Sequence, residues 1–243
     1  MKKFWEFKNA ANKTGELYIY GDIVSYKWDD SDTTAQSFKE DLEDLGDIQT
    51  LNVYVNSPGG SVFQGQAIYS ILKRQKAQVN VYVDGIAASI ASVIAMAGDV
   101  VYMPPNAMMM VHNPWTLVFG NASDLRKMAD DLDKIRGSLV AAYLEKAKNL
   151  SEEKLSELMD GETWMTAQEC YDYGFCDEVL EAEREIAAGI NTELFARYKN
   201  TPNELLQAFQ SQKKPALSQE ERKRLIAASK SNIEKITNIL GGM

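Results

Sequence analysis

Cysteine, histidine, surplus positive charge and long apolar runs are all scarce in this chain, and each shortage closes off a class of function. Of 243 residues only two are cysteine and one is histidine. Cys170 and Cys176 lie close together in one acidic, aromatic stretch, with no further cysteine to complete a metal site. Neither a disulfide framework nor a metal centre is expected, and a reducing, cytoplasmic compartment fits that composition. With 26 basic residues against 35 acidic ones the formal net charge is −9. Phosphate backbones need clustered lysine and arginine, so nucleic acid is not an expected partner. The longest apolar run, Ile86 to Gly98, is too short and too rich in alanine and serine to cross a bilayer, and no membrane role is expected. The start, Met1-Lys2-Lys3-Phe4-Trp5-Glu6-Phe7, is charged and aromatic but leads into Lys8, Asn9 and Asn12, which does not read as a signal peptide.

What remains is a globular chain, 45% hydrophobic, long enough for one sizeable core and an appendage. Leu17 to Val24 reads as a strand, ended by the acidic, turn-rich stretch Trp28 to Thr34. From about Thr34 to Leu45, Phe38, Leu42 and Leu45 recur at helical spacing until Gly46. Leu51 to Val55 reads as a strand, broken at Asn56-Ser57-Pro58-Gly59-Gly60-Ser61 before a helical pattern through Ala67, Ile68, Ile71 and Leu72. The unit repeats as strand Val79 to Val83, a turn at Asp84-Gly85, helix Ala87 to Ala97 and a strand at Val100 to Met103. Such alternation implies βαβ crossovers and a largely parallel sheet. Beyond Pro104-Pro105, Ala107 to Val111 is another buried-strand candidate. From Ala122 to Ala147, Leu125, Met128, Leu132, Ile135, Leu139 and Tyr143 mark a long amphipathic helix. Ser151-Glu152-Glu153 opens a helix ending near Met159, and the capping box Thr166-Ala167-Gln168-Glu169 opens one that Gly174 stops. Past Leu180 the chain turns polar, with capping-box patterns at Thr201-Pro202-Asn203-Glu204 and Ser218-Gln219-Glu220-Glu221 and a linker at Lys213-Lys214-Pro215.

Chemistry is expected where two strand-to-helix junctions, Gly59-Gly60 and Ala88-Ser89, lie at the same carboxyl edge of a parallel sheet. Ser89 is a candidate nucleophile beside unpaired backbone N–H groups, although a small polar cap in a tight helix would have the same sequence. Gly59 and Gly60 can turn without side-chain obstruction and offer their N–H groups, although Pro-Gly-Gly is also a plain turn. His112 is the sole histidine and hence the one imidazole available as a base. An acidic partner should orient it, but spacing does not choose among so many carboxylates.

Four motifs in order, Asn56-Ser57-Pro58-Gly59-Gly60, Gly85-Ile86-Ala87-Ala88-Ser89 with Ala97-Gly98, Met110-Val111-His112-Asn113-Pro114, and Trp164-Met165-Thr166-Ala167 leading to Tyr173-Gly174 and Asp177, resemble the Clp peptidase family over about Leu17 to Val179, most closely its phage-associated members. The resemblance implies an α/β fold of ClpP/crotonase-like stacked ββα units, with a largely parallel sheet, a long handle helix and a helical C-terminal extension. It divides the chain into an N-terminal segment 1–16, a peptidase domain 17–180 and an extension 181–243. It implies Ser89 as nucleophile, His112 as general base and the N–H groups of Gly60 and Ile90 as the oxyanion hole. The family's aspartate is replaced here by Glu162, with Asp160 as runner-up. The implied activity is cofactor-free, metal-free serine endopeptidase hydrolysis of polypeptides through an acyl-enzyme. The implied assembly is a homo-oligomer, a heptameric ring or double ring, with phage capsid or scaffold polypeptides as substrates. The N-terminus does not match the axial loop by which cellular members dock to an unfolding ATPase, which argues against that partner. Two other readings compete: a ring-forming structural protein with a dormant site, and a crotonase-type acyl-CoA enzyme.

Overall fold

The computed structural model describes residues 3–9, 11–24, 34–181, 198–203 and 205. Helical pieces expected beyond Asn203, and the linker at Lys213-Lys214-Pro215, lie outside the described residues. One compact unit extends from the N-terminus to Asn203.

Alternating βα units dominate, as the hydrophobic periodicity predicts. Strand β1 (Trp5–Asn9) pairs antiparallel with β2 (Thr14–Tyr20), which runs parallel to β3 (Thr50–Ser57), itself parallel to β4 (Gln78–Ala88). Strand β5 (Val100–Met103) continues the sheet beside the first half of β4, and β6 (Met108–Val111) pairs parallel with its second half. Strand β7 (Thr163–Thr166) lies antiparallel to β6, and the short β8 (Glu178–Val179) pairs with β5. Helices α1 (Ala35–Glu43), α2 (Val62–Lys73) and α3 (Ile90–Ala95) follow β2, β3 and β4. Helix α4 (Ala122–Lys146) is the long one, followed by α5 (Glu152–Asp160) and α6 (Ala167–Tyr173).

The strands of the first parallel pairs carry alternating fully buried residues, Leu17 and Ile19, Leu51, Val53 and Val55, Val79, Val81 and Val83, which together with Ile68, Leu72 and Ile94 form the core. Their other face carries a register-matched row of tyrosines. Tyr18, Tyr54, Tyr82 and Tyr102 stack across four strands at centroid separations of 4.8, 5.2 and 4.7 Å. The expected capping box at Thr166 forms, with Glu169 reaching back to the Thr166 N–H, and Gly174 ends α6 at φ +82°.

Two expectations need correction. Asp84-Gly85 does not end a strand, because β4 runs on to Ala88. The register against β3 slips between Val55 and Ser57, so that Ser57 faces Ala87, and the Asn56 side chain accepts the Ile86 N–H in the gap. The helix expected over Ala87 to Ala97 shrinks accordingly to Ile90–Ala95. In the N-terminal segment Phe4 and Trp5 are buried, and β1 edges the sheet.

Helix α2 touches α3 closely where Gly65 faces Ile90. A Cβ at Gly65 would fall 2.2 Å from Ile90 Cγ1. Gly65→Ala should therefore cost about 1–3 kcal/mol in urea unfolding through overpacking. Gly137→Ala, on α4 with nothing within 4 Å of the added carbon, should be neutral or stabilising by up to about 1 kcal/mol. Equal responses at the two positions would contradict this packing.

Candidate active site

Ser89 stands between β4 and α3 in a sharp turn, with φ 56° and ψ −128°. A non-glycine residue held there costs about 1–3 kcal/mol, so the surroundings must fix it. They do so from two sides. The Ser89 N–H donates to the Met110 carbonyl at 2.9 Å, and the Ser89 carbonyl accepts from Ser92 Oγ at 2.5 Å. Ser92 in turn meets the buried Tyr143 hydroxyl of α4 at 2.8 Å. The turn leaves the Ser89 hydroxyl partly exposed at the sheet edge.

His112 arrives from β6. Because Ala88 pairs with Met110, the residues just beyond each strand emerge side by side. Ser89 Oγ and His112 Nε2 are 2.7 Å apart. His112 is 9% exposed, and burial pushes its pKa down from the ordinary 6.5 to about 4. Its imidazole is therefore neutral at pH 7, the form able to accept a hydroxyl proton.

The glycine pair closes the third side. Gly59 (φ +94°) is so near the Ser89 turn that a Cβ would sit 2.7 Å from both Ser89 Cβ and the Ala88 carbonyl oxygen, and 3.3 Å from Ile90 N. Gly60 (φ +144°) is pressed against Ile23, whose N–H donates to the Gly59 carbonyl and whose carbonyl accepts from Ser61. Those two bonds pass on either side of the Gly60 N–H and do not use it. Ile90 is the first residue of α3, where the N–H has no intrahelical acceptor. The two candidate oxyanion donors thus belong to turns in contact around Ser89.

Glu162 comes one residue before β7 and His112 one residue after β6, whose last pair is Val111 with Thr163, and both line one cleft. Glu162 is 9% exposed and itself holds a left-handed φ of 47°. Its carboxylate, however, accepts from the Asn200 N–H at 2.7 Å, and among the described residues it makes no hydrogen bond to His112. The runner-up, Asp160, lines the same cleft but is engaged by other partners. It accepts from Asn113 Nδ2 at 2.7 Å, and the Asn113 amide oxygen accepts from Arg136 Nε of α4 at 2.8 Å. This small network ties the long helix to the residue after His112.

Sequence reasoning missed Tyr198 and Asn200. The Tyr198 ring meets the His112 ring edge-on at 5.3 Å, and its hydroxyl donates to the Pro58 carbonyl. Beside them a cleft of about 360 Å³ is lined by His112, Trp115, Glu162, Lys199 and Asn200 among others. Tyr198 stands three residues after another aromatic, Phe195, and nothing in its spacing singles it out. No group of three or more potential metal ligands gathers anywhere among the described residues.

The model of the Clp protease family matches residues 14–183. The ATP-dependent Clp protease proteolytic subunit of Deinococcus radiodurans is 36% identical over 150 residues, covering 61% of this chain and 73% of that protein. The chain belongs to the Clp protease family and is a serine-type endopeptidase.

The depressed His112 pKa makes stability depend on pH with a definite sign. Between about 6.5 and 4 the unfolded chain binds the proton that the folded chain refuses. This contribution is intact above pH 6.5 and is lost as pH falls, by about 2 kcal/mol at pH 5 and roughly 3 at pH 4. Urea unfolding from pH 7.5 to 5 should show that slope in the wild type and a flatter one in His112→Gln. Identical slopes would contradict a buried, neutral imidazole.

Proposed function

We propose that the chain hydrolyses peptide bonds with Ser89 as nucleophile, His112 as general base, and the Gly60 and Ile90 N–H groups as donors to the developing oxyanion. The observation that carries this reading is the 2.7 Å contact between Ser89 Oγ and a buried, neutral His112 Nε2. In the first step His112 Nε2 takes the Ser89 proton as Oγ attacks the scissile carbonyl. Charge on the carbonyl oxygen is met by backbone N–H groups already fixed by the glycine contact, so little reorganisation is needed. The imidazolium then returns the proton to the leaving amine, and water repeats the cycle on the acyl-enzyme. Glu162 is the proposed orienting acid, supported by its place beside His112 in the lining of one cleft.

Assembly into a homo-oligomeric ring, heptameric and stacked in pairs, is part of the same proposal. Helix α4 supports it. Its buried residues are Leu139, Val140, Ala142 and Tyr143, all in the second half, while the apolar Leu125 is 46% exposed. The preceding loop exposes Trp115, Leu117 and Phe119, the last at 89%. An apolar stripe of this size that its own chain leaves uncovered is expected to meet another copy. Capsid or scaffold polypeptides of a phage are the proposed substrates, on the motif resemblance to the phage-associated members of the family. The ring and this substrate class are separate claims from the catalytic one.

A fluorophosphonate probe tests the catalytic roles. The wild type should be labelled once, on Ser89. Ser89→Ala should abolish labelling, and His112→Ala should slow it by more than about a thousandfold. Labelling of Ser89→Ala at the wild-type rate would end this reading. Native mass measurement should return a multiple of the 27.2 kDa chain. Double substitution of Leu117 and Phe119 by serine should reduce that multiple, and a monomeric wild type would remove the ring.

A further inference from the structure

Residues 198–200 lie beside the candidate site and contact His112, Pro58 and Glu162. Tyr198, 9% exposed, sets its ring edge against the His112 imidazole and packs at 6.0 Å on the Trp164 ring of β7. Its hydroxyl donates to the carbonyl of Pro58, the residue just before the glycine pair. One side chain thus spans from the base to the turn that carries the oxyanion donor. Two residues on, the Asn200 N–H takes the Glu162 carboxylate at 2.7 Å, and the Asn200 side-chain amide donates to the Gly161 carbonyl at 2.7 Å. None of these contacts contributes to the hydrogen bond between Ser89 and His112. They occupy instead the approach over the imidazole and one oxygen of the Glu162 carboxylate.

We propose that Tyr198–Asn200 is an autoinhibitory strap, a segment of the chain itself seated in its own catalytic cleft, which engages the Glu162 carboxylate and covers His112 until it is displaced. The inference rests on the peptidase reading given above and adds to it a latent state. Displacement does two things. It opens the space between His112 and Pro58 to a polypeptide, and it leaves the Glu162 carboxylate to accept from the imidazole N–H. The apparent reactivity of Ser89 is reduced by the fraction of time the strap is seated. A competing polypeptide able to donate to the Pro58 carbonyl and present an apolar ring to His112 is the chemistry that would displace it.

The test is the second-order rate of fluorophosphonate labelling of the full chain. Tyr198→Ala should label about tenfold faster than wild type or more, and Tyr198→Phe, which loses only the hydroxyl, about fivefold faster. Asn200→Pro, which removes the N–H that Glu162 accepts, should also be faster. Adding Glu162→Gln to Tyr198→Ala should cancel most of the gain, an effect that mere loosening of the fold would not produce. Should Tyr198→Ala fail to fold, Tyr198→Phe decides alone. Rates at or below wild type in the folded Tyr198 variants overturn the strap while leaving Ser89 as nucleophile. Absence of labelling in the wild type and every folded variant overturns the peptidase reading and the strap with it.

Discussion

The parallel pairing of β3 with β4, and the slip in its register at Asn56, is the constraint on which the site depends. In an unbroken ladder the two strands would end level and their following turns would point away in parallel. Here β4 carries two additional residues between the pairs Val55–Val83 and Ser57–Ala87, and the Asn56 amide accepts the Ile86 N–H exposed by that insertion. The strand then bends to meet β6, and Gly59 comes to rest against Ser89 at a distance no Cβ could share. Bare backbone at position 59 is a steric requirement of this approach. The same contact sets the Gly60 turn beside the start of α3.

From that contact the remaining parts follow by strand register. Pairing of Ala88 with Met110 delivers His112 to Ser89, and pairing of Val111 with Thr163 brings Glu162 into the cleft that His112 lines. The strained backbone at Ser89 is held by bonds from Met110 and Ser92, and Ser92 is held by Tyr143. The long helix therefore reaches the Ser89 turn through Ser92 and Tyr143, and the residue after His112 through Arg136 and Asn113. Burial of His112 lowers its affinity for protons, which keeps the imidazole neutral at pH 7 and costs stability in acid.

Much of this was legible in the residues. The βα alternation is visible because parallel strands buried on one face leave β-branched runs, and because α1, α4 and α5 each carry an apolar stripe. Ser89 and His112 stand out, one for its place at a strand end and the other because the chain has no second histidine. Asp84-Gly85 misled, since a dipeptide that favours a tight turn also suits a strand irregularity, and only the neighbour's register separates the two. Strand β7 was hidden in Thr163-Trp164-Met165-Thr166, too short for a period to show, and β1 in a charged start whose Trp5 proves to be core. Tyr198 and Asn200 make contacts with residues far away in the chain, three of them involving main-chain atoms, which leave no trace in side-chain patterning.

The central claim is that the hydroxyl of Ser89, the His112 imidazole and the two backbone donors converge on one reacting carbon. A crystal structure of the chain with a peptide boronate addresses it most directly. The expected result is a tetrahedral boron bonded to Ser89 Oγ, with one boronate oxygen about 2.7–3.1 Å from both the Gly60 and Ile90 nitrogens. Boron bonded to another residue, or to Ser89 with that oxygen turned away from both nitrogens, would contradict it.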